Sequence, residues 1–293
     1  MELRHLRYFV AVAEELHFTR AAKRLHMEQP PLSQQIRALE TELGVPLLRR
    51  SKRHVALTEA GQRFLVDARR ILHEAQQASE DARRAARGEL GELRIAFSSS
   101  LPFTSLLPQV LRRYRQAHPH VTLNMREMFT IDQLEALQRG QIDIGLIRFR
   151  GTEPASDLAL RQINQDPLRL VVNAADPLAA RDSVAFAELK AYDFIAYPPG
   201  TGTSLTLLVR QLCLAAGFEP MVTQEAREPM AQIGFVAAGL GVAILPAPFE
   251  CVALPGVRYV ALSDPGAYLS LGVAVRRDHQ SALIAGFLEH LQG

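Results

Sequence analysis

The chain has 293 residues, 48% apolar and 22% charged, which excludes intrinsic disorder and leaves room for two or three folding units. Its net charge of +2 is unevenly placed: residues 1–90 hold 16 Lys and Arg against 12 Asp and Glu, residues 91–293 hold 17 against 19. Apolar runs stop well short of the roughly 18 residues a membrane span needs, and Cys213 and Cys251 have no His or Cys at metal-ligand spacing. The expectation is a cytoplasmic protein with inert thiols, no membrane partner, no metal and no cofactor.

In chain order, Leu3, Leu6, Phe9, Val10, Ala13 and Leu16 recur at helical spacing, and a second helix starts near Thr19 and buries Phe18, Ala21, Ala22 and Leu25. A third opens on Pro30 and Pro31, turns Leu32, Ile36, Leu39 and Leu43 inward, and stops at Gly44 before Pro46. Three short helices with alanines at their crossing predict a helix-turn-helix. The third helix presents Gln29, Ser33, Gln34 and Arg37 at its N-terminal end. Gln29 and Gln34 have the shape to pair with a base edge, and Ser33 and Arg37 to reach base or phosphate. Pro30 and Pro31 offer apolar contact to a thymine methyl.

Residues 47–57 read as two short strands around a basic turn, a wing carrying Arg49, Arg50, Lys52 and Arg53 for phosphate or minor-groove contact. Thr58 caps a long helix in which Phe64, Ala68, Ile71, Ala75, Ala78, Ala82 and Ala85 repeat at alternating steps of four and three, the seam of a coiled coil between two copies. The alternative is a helix packed on its own domain. Gly88 to Gly91 end it.

Beyond residue 91, strand candidates alternate with amphipathic helices, which predicts mostly parallel sheets covered by helices, in one large sheet or two lobes. Ser98, Ser99, Ser100, Thr130, Gly202 and Thr203 stand where strands hand over to helices. Free amides and hydroxyls gather there at the C-terminal ends of parallel strands. Each hydroxyl serves as a cap, a ligand contact, or both. Arg148, after the apolar run 142–147, is a candidate anchor for a carboxylate; the alternative is an ion pair with a neighbour such as Glu127. His118-Pro119-His120 lacks a third metal ligand, and neither a phosphate-binding loop nor a nucleophile elbow is present, so no catalytic residue is assigned.

The first 65 residues resemble the DNA-binding domain of LysR-type regulators: Leu3 to Glu14, Phe18 to Leu25, Gln29 to Ser33, Ile36 to Glu40, Leu43 to Leu48 and Leu57 to Gly61 match that pattern in order and spacing. Gln34 and Glu28 depart from it, which bears on which bases are read. The resemblance continues, with looser motifs, through the linker and sensor. It implies an α/β protein overall, with a winged helix-turn-helix (1–58), a dimerisation linker helix (59–88) and a two-lobed, periplasmic-binding-protein-like effector domain (91–293). Lobe I would take about 91–162 and 265–293, and lobe II about 163–264.

The implied function is sequence-specific transcription regulation on double-stranded promoter DNA by a homodimer that assembles to a homotetramer, with RNA polymerase as a further candidate contact. A small organic or aromatic carboxylate would bind between the lobes, with Ser100, Thr130 and Thr203 as polar contacts and Arg148 on its acid. A solute-binding receptor would have no use for residues 17–57, an architectural DNA-binding protein would leave the last 200 residues idle, and an enzyme has the least support.

Overall fold

The apolar periodicity of the first 45 residues becomes three helices in the computed structural model, which describes residues 1–50, 54–151, 157–201, 203–278 and 281–291. They are α1 (Leu3–Glu15), α2 (Phe18–Arg24) and α3 (Gln29–Leu43). Helix α2 starts one residue before the expected Thr19: His17 is its cap, and the ring Nδ1 accepts from the Thr19 amide at 3.2 Å. Leu6, Phe9, Leu32, Ile36 and Leu39 are fully buried where the helices cross. Gly44 ends α3 at φ +71°, a conformation glycine adopts without Cβ strain. Strands β1 (Leu48–Arg50) and β2 (Val55–Leu57) pair antiparallel in the register Leu48↔Leu57.

Helix α4 (Glu59–Ala86) starts where the Thr58 hydroxyl accepts from the Gly61 amide at 2.9 Å. Its first half is not a free seam. Ala68 is fully buried, Phe64 and Ile71 pack on the same core, and the Phe64 ring lies 5.2 Å from Phe9. Of the stripe expected from Phe64 to Ala82, the first three positions thus pack on their own domain, because a heptad repeat and an intradomain face use the same spacing. Ala78 and Ala82 stay exposed and Ala75 half-buried. Arg69 pairs with Glu14 at 2.7 Å and, with Arg24, holds the Glu14 carboxyl below its ordinary pKa.

The chain divides into two compact units, Met1–Arg84 and Ala85–Gly293. In the second, β3 (Gly91–Phe97), α5 (Leu106–Ala117), β4 (Val121–Glu127), α6 (Thr130–Gln138) and β5 (Ile144–Phe149) form a parallel β-α-β-α-β lobe. Then β6 (Leu158–Asn173) crosses into the other lobe, built from β7 (Ser183–Val184), β8 (Asp193–Ala196), α7 (Ser204–Ala215), β9 (Met221–Glu225), α8 (Pro229–Ala237), β10 (Val242–Pro246) and β11 (Val257–Leu262). The return is β12 (Tyr268–Arg276), followed by α9 (Ala282–His290). The strand order is β4-β3-β5-β12-β6-β10-β8-β9, with β11 on β6 and β7.

The expectation of mostly parallel sheets holds inside each lobe and fails at the seam. Both long strands run antiparallel to their neighbours, β6 meeting β12 over Leu158 to Pro167 and β10 over Leu168 to Val171. The two crossings separate an apolar core around Leu170, Phe186, Ile233 and Leu245 from one around Ile95, Tyr114, Ile144 and Phe287. Among the described residues no helix is long and apolar enough to cross a membrane.

Candidate DNA-contact surface and effector cavity

In the N-terminal unit the inward stripe of α3 leaves one face outside. Gln29, Pro30, Pro31, Gln34 and Arg37 are exposed and Ser33 is half-buried, and none of these side chains has a protein partner as donor or acceptor among the described residues except through the helix itself. Arg49 is exposed on the wing; Lys52 and Arg53 lie outside the described residues.

Arg50, expected on DNA, is turned inward. Its Nη2 donates to Glu40 Oε2 at 2.6 Å, and its guanidinium sits 5.1 Å from the centre of the Phe18 ring. The other oxygen of Glu40 accepts from the Leu47 and Leu48 amides at 2.9 and 3.0 Å. One carboxylate thus ties the wing to α3. Glu40→Ala strands two strand-start amides and the arginine, and should cost about 2 kcal/mol, read as a lower unfolding midpoint of the N-terminal unit with the second unit unmoved.

In the C-terminal unit a cavity of about 460 Å³ lies between the lobes. It forms where β3, β5 and β8 end and α6 and α7 begin. Ser98, Ser99, Ser100, Thr130, Arg148 and Thr203 all line it; Gly202 lies outside the described residues. The hydroxyls divide between capping and other duties. Thr203 is a cap, accepting from the Leu205 and Thr206 amides. Thr130 is not: it donates to the Arg148 carbonyl at 2.9 Å, and Ser204 reaches the same oxygen from the opposite lobe at 3.1 Å. Both helix starts therefore converge on one residue of β5.

Arg148 is only 6% exposed. Its Nε donates to Ser100 Oγ at 3.0 Å and its Nη1 to the Asp166 carboxylate, so the ion pair given above as the alternative is present, with Asp166 rather than Glu127 as the acid. Its Nη2 is buried with no partner. Burial pushes the guanidinium below its usual pKa against the pull of Asp166, and an arginine still stays charged at neutral pH. An unpaired buried donor of this kind costs about 1–3 kcal/mol, which an incoming acceptor would recover.

Sequence reasoning missed several lining residues. Tyr197 stands against Phe129, its phenol pushed up to about 12 by burial, with Glu228 and Glu127 adding to the rise and a hydrogen bond to Ser99 opposing it. Phe249, Leu269 and Pro246 supply apolar wall, and Glu127, Arg227 and Glu228 supply charge. The available signal was again strand-to-helix position: Tyr197 follows β8 and Glu228 immediately precedes α8. Asp166, the partner of Arg148, carried no signal, since residues 158–167 gave no strand pattern.

Two family models cover most of the sequence: the bacterial regulatory helix-turn-helix protein, lysR family, over residues 3–62, and the LysR substrate binding domain over residues 86–293. The chain belongs to the LysR family of transcriptional regulators. This LysR-type regulator is 44% identical to the uncharacterized HTH-type transcriptional regulator YnfL of Escherichia coli over 99% of its own length and 98% of the relative's. It is 39% identical to the HTH-type regulator AlsR of Bacillus subtilis, covering 98% and 94%.

Among solved structures, full-length CbnR complexed with its target DNA superposes with a TM-score of 0.84 at 34% identity, covering 100% of this chain and 99% of that one. Full-length BenM superposes at 0.62 with 36% identity, covering 100% and 96%. The chain is thus a DNA-binding transcription regulator with an effector-binding domain, and its family is one of regulators rather than enzymes.

Proposed function

We propose that this regulator reads promoter DNA through the exposed N-terminal face of α3 and changes its grip when a small carboxylate occupies the cavity between its lobes. The observation that carries the effector half is Arg148, buried under two converging helix starts with one nitrogen unpaired. A carboxylate completes that guanidinium and gains a charge-assisted bond in a site of low dielectric. To act as a switch it must prefer one arrangement of the protein over another. The same protein in the cytoplasm, as a dimer through the exposed part of α4 around Ala75, Ala78 and Ala82 and as a tetramer of such dimers, spans an extended site. RNA polymerase is the downstream contact.

The direct test is promoter occupancy at rising concentrations of small carboxylates, for the wild type and Arg148→Lys. The proposal expects an acid that shifts occupancy or DNA bend in the wild type and loses at least about tenfold in potency with lysine, which has no planar fork. Equal potency in both proteins would refute it.

On the DNA side, Gln29, Pro30, Pro31, Ser33, Gln34 and Arg37 face the major groove, with Arg49, Lys52 and Arg53 of the wing on the backbone and Arg50 as its inward strut. Arg49→Ala should weaken binding to all sequences alike and lower the slope of log affinity against log salt by about 1. A sequence-selective loss would place Arg49 on a base edge instead.

A further inference from the structure

The same cavity carries a charge pattern that a simple carboxylate does not use. Glu127 closes β4 on one lobe, and Glu228 stands at the start of α8 on the other. Neither carboxylate has a hydrogen bond or ion pair among the described residues, and Glu228 makes no side-chain bond to the helix it precedes. Both residues are exposed, and partial desolvation together with the charge of Glu228 raises the pKa of Glu127, so the two acids feel each other across the cleft. With Asp132 also on the wall, acids outnumber the bases Arg148 and Arg227, and Asp166 already offsets Arg148. A second anionic end on the ligand would meet like charge. A cationic end would meet two unpaired acids, and by joining them would draw the lobes together.

We propose that Glu127 and Glu228 are the specificity-determining pair of the cleft, and that its effector carries a protonated amine for them as well as an acceptor for the free Nη2 of Arg148. This rests on the reading of the cavity as the effector site. The unpaired Nη2 of the buried Arg148 gives the ligand its anionic end; the acids give it the opposite one. The effector class is therefore an amine-bearing acid and not a dicarboxylate. Glu127, Asp132, Tyr197, Arg227, Glu228 and Arg148, itself paired with Asp166, are the charged and titratable groups that such a ligand meets.

The test is calorimetric titration of the full-length chain with four probes of one ring size: 4-(aminomethyl)benzoate, benzoate, terephthalate and benzylamine. The proposal expects 4-(aminomethyl)benzoate to bind at least about tenfold more tightly than benzoate, a difference of about 1.4 kcal/mol, and terephthalate to bind more weakly than benzoate. Glu127→Gln and Glu228→Gln should each erase most of the amine's advantage without weakening benzoate, and the double variant should admit terephthalate. Benzoate and terephthalate binding as well as the amine, in a manner that Arg148→Lys weakens, overturns the pair and leaves the effector site standing. Binding by none of the four, or binding indifferent to Arg148→Lys, overturns both.

Discussion

Arg148→Ala is expected to remove about 3 to 5 kcal/mol from the effector-binding unit, because it leaves the Asp166 carboxylate, 13% exposed, without its cation. Ser100 loses its donor at the same time, and a void opens beneath the starts of α6 and α7. Denaturant unfolding followed separately in the two units should show the second shifted and the first in place. The double variant Arg148→Met, Asp166→Asn separates stability from recognition. It removes both charges, so it should recover much of the lost stability while remaining deaf to carboxylates. If Arg148→Ala unfolds at the wild-type midpoint, the ion pair does not hold the cleft together. If the double variant still responds to an acid, Arg148 is not its anchor.

Gly61→Ala should have the second largest effect, on the other unit. Helix propensity alone predicts a gain of about 1 kcal/mol from replacing glycine by alanine inside a helix. The surroundings predict the opposite: an added Cβ would stand 2.0 Å from the Leu47 carbonyl oxygen and 2.9 Å from its carbon. That carbonyl accepts from the Thr58 amide and belongs to the strand entry which Glu40 also holds, so backbone has to move and not a flexible side chain. A loss of about 3 kcal/mol is expected, with promoter affinity falling and ligand binding by the second unit intact. A higher unfolding midpoint in the variant would mean that the close contact of α4 with the wing root is not a constraint.

Legibility in the sequence followed how local the determining physics is. The helices of the first unit and the wing are written in short-range signals: a 3.6-residue apolar period, prolines at a helix start, a glycine at its end. The effector-side hydroxyls were legible as a group because strand-to-helix handovers are also local. What escaped was settled by partners distant in sequence.

Residues 158–167 alternate irregularly and end on Pro167, yet they form half of β6 because β12, about a hundred residues later, supplies the ladder. That pairing places Asp166 against Arg148. The apolar repeat of α4 fits two partners equally, and the burial of Ala68 and the packing of Phe64 on Phe9 and of Ile71 on the same core assign its first half to its own domain. Arg50 looked like its neighbours in a basic run, and its inward turn depends on Glu40 ten residues earlier.

Sequence-specific reading of DNA by the exposed face of α3 is tested most directly by selecting bound sequences from a random DNA pool with the full-length chain, at two salt concentrations, for the wild type and Gln34→Ala. The account predicts a two-fold-related motif that persists as salt rises while overall affinity falls. In the variant, one base position should relax, with a loss of about 1 to 3 kcal/mol against its preferred base and the rest of the motif unchanged. Recovery of no motif, or of the same motif at full strength from the variant, would contradict it.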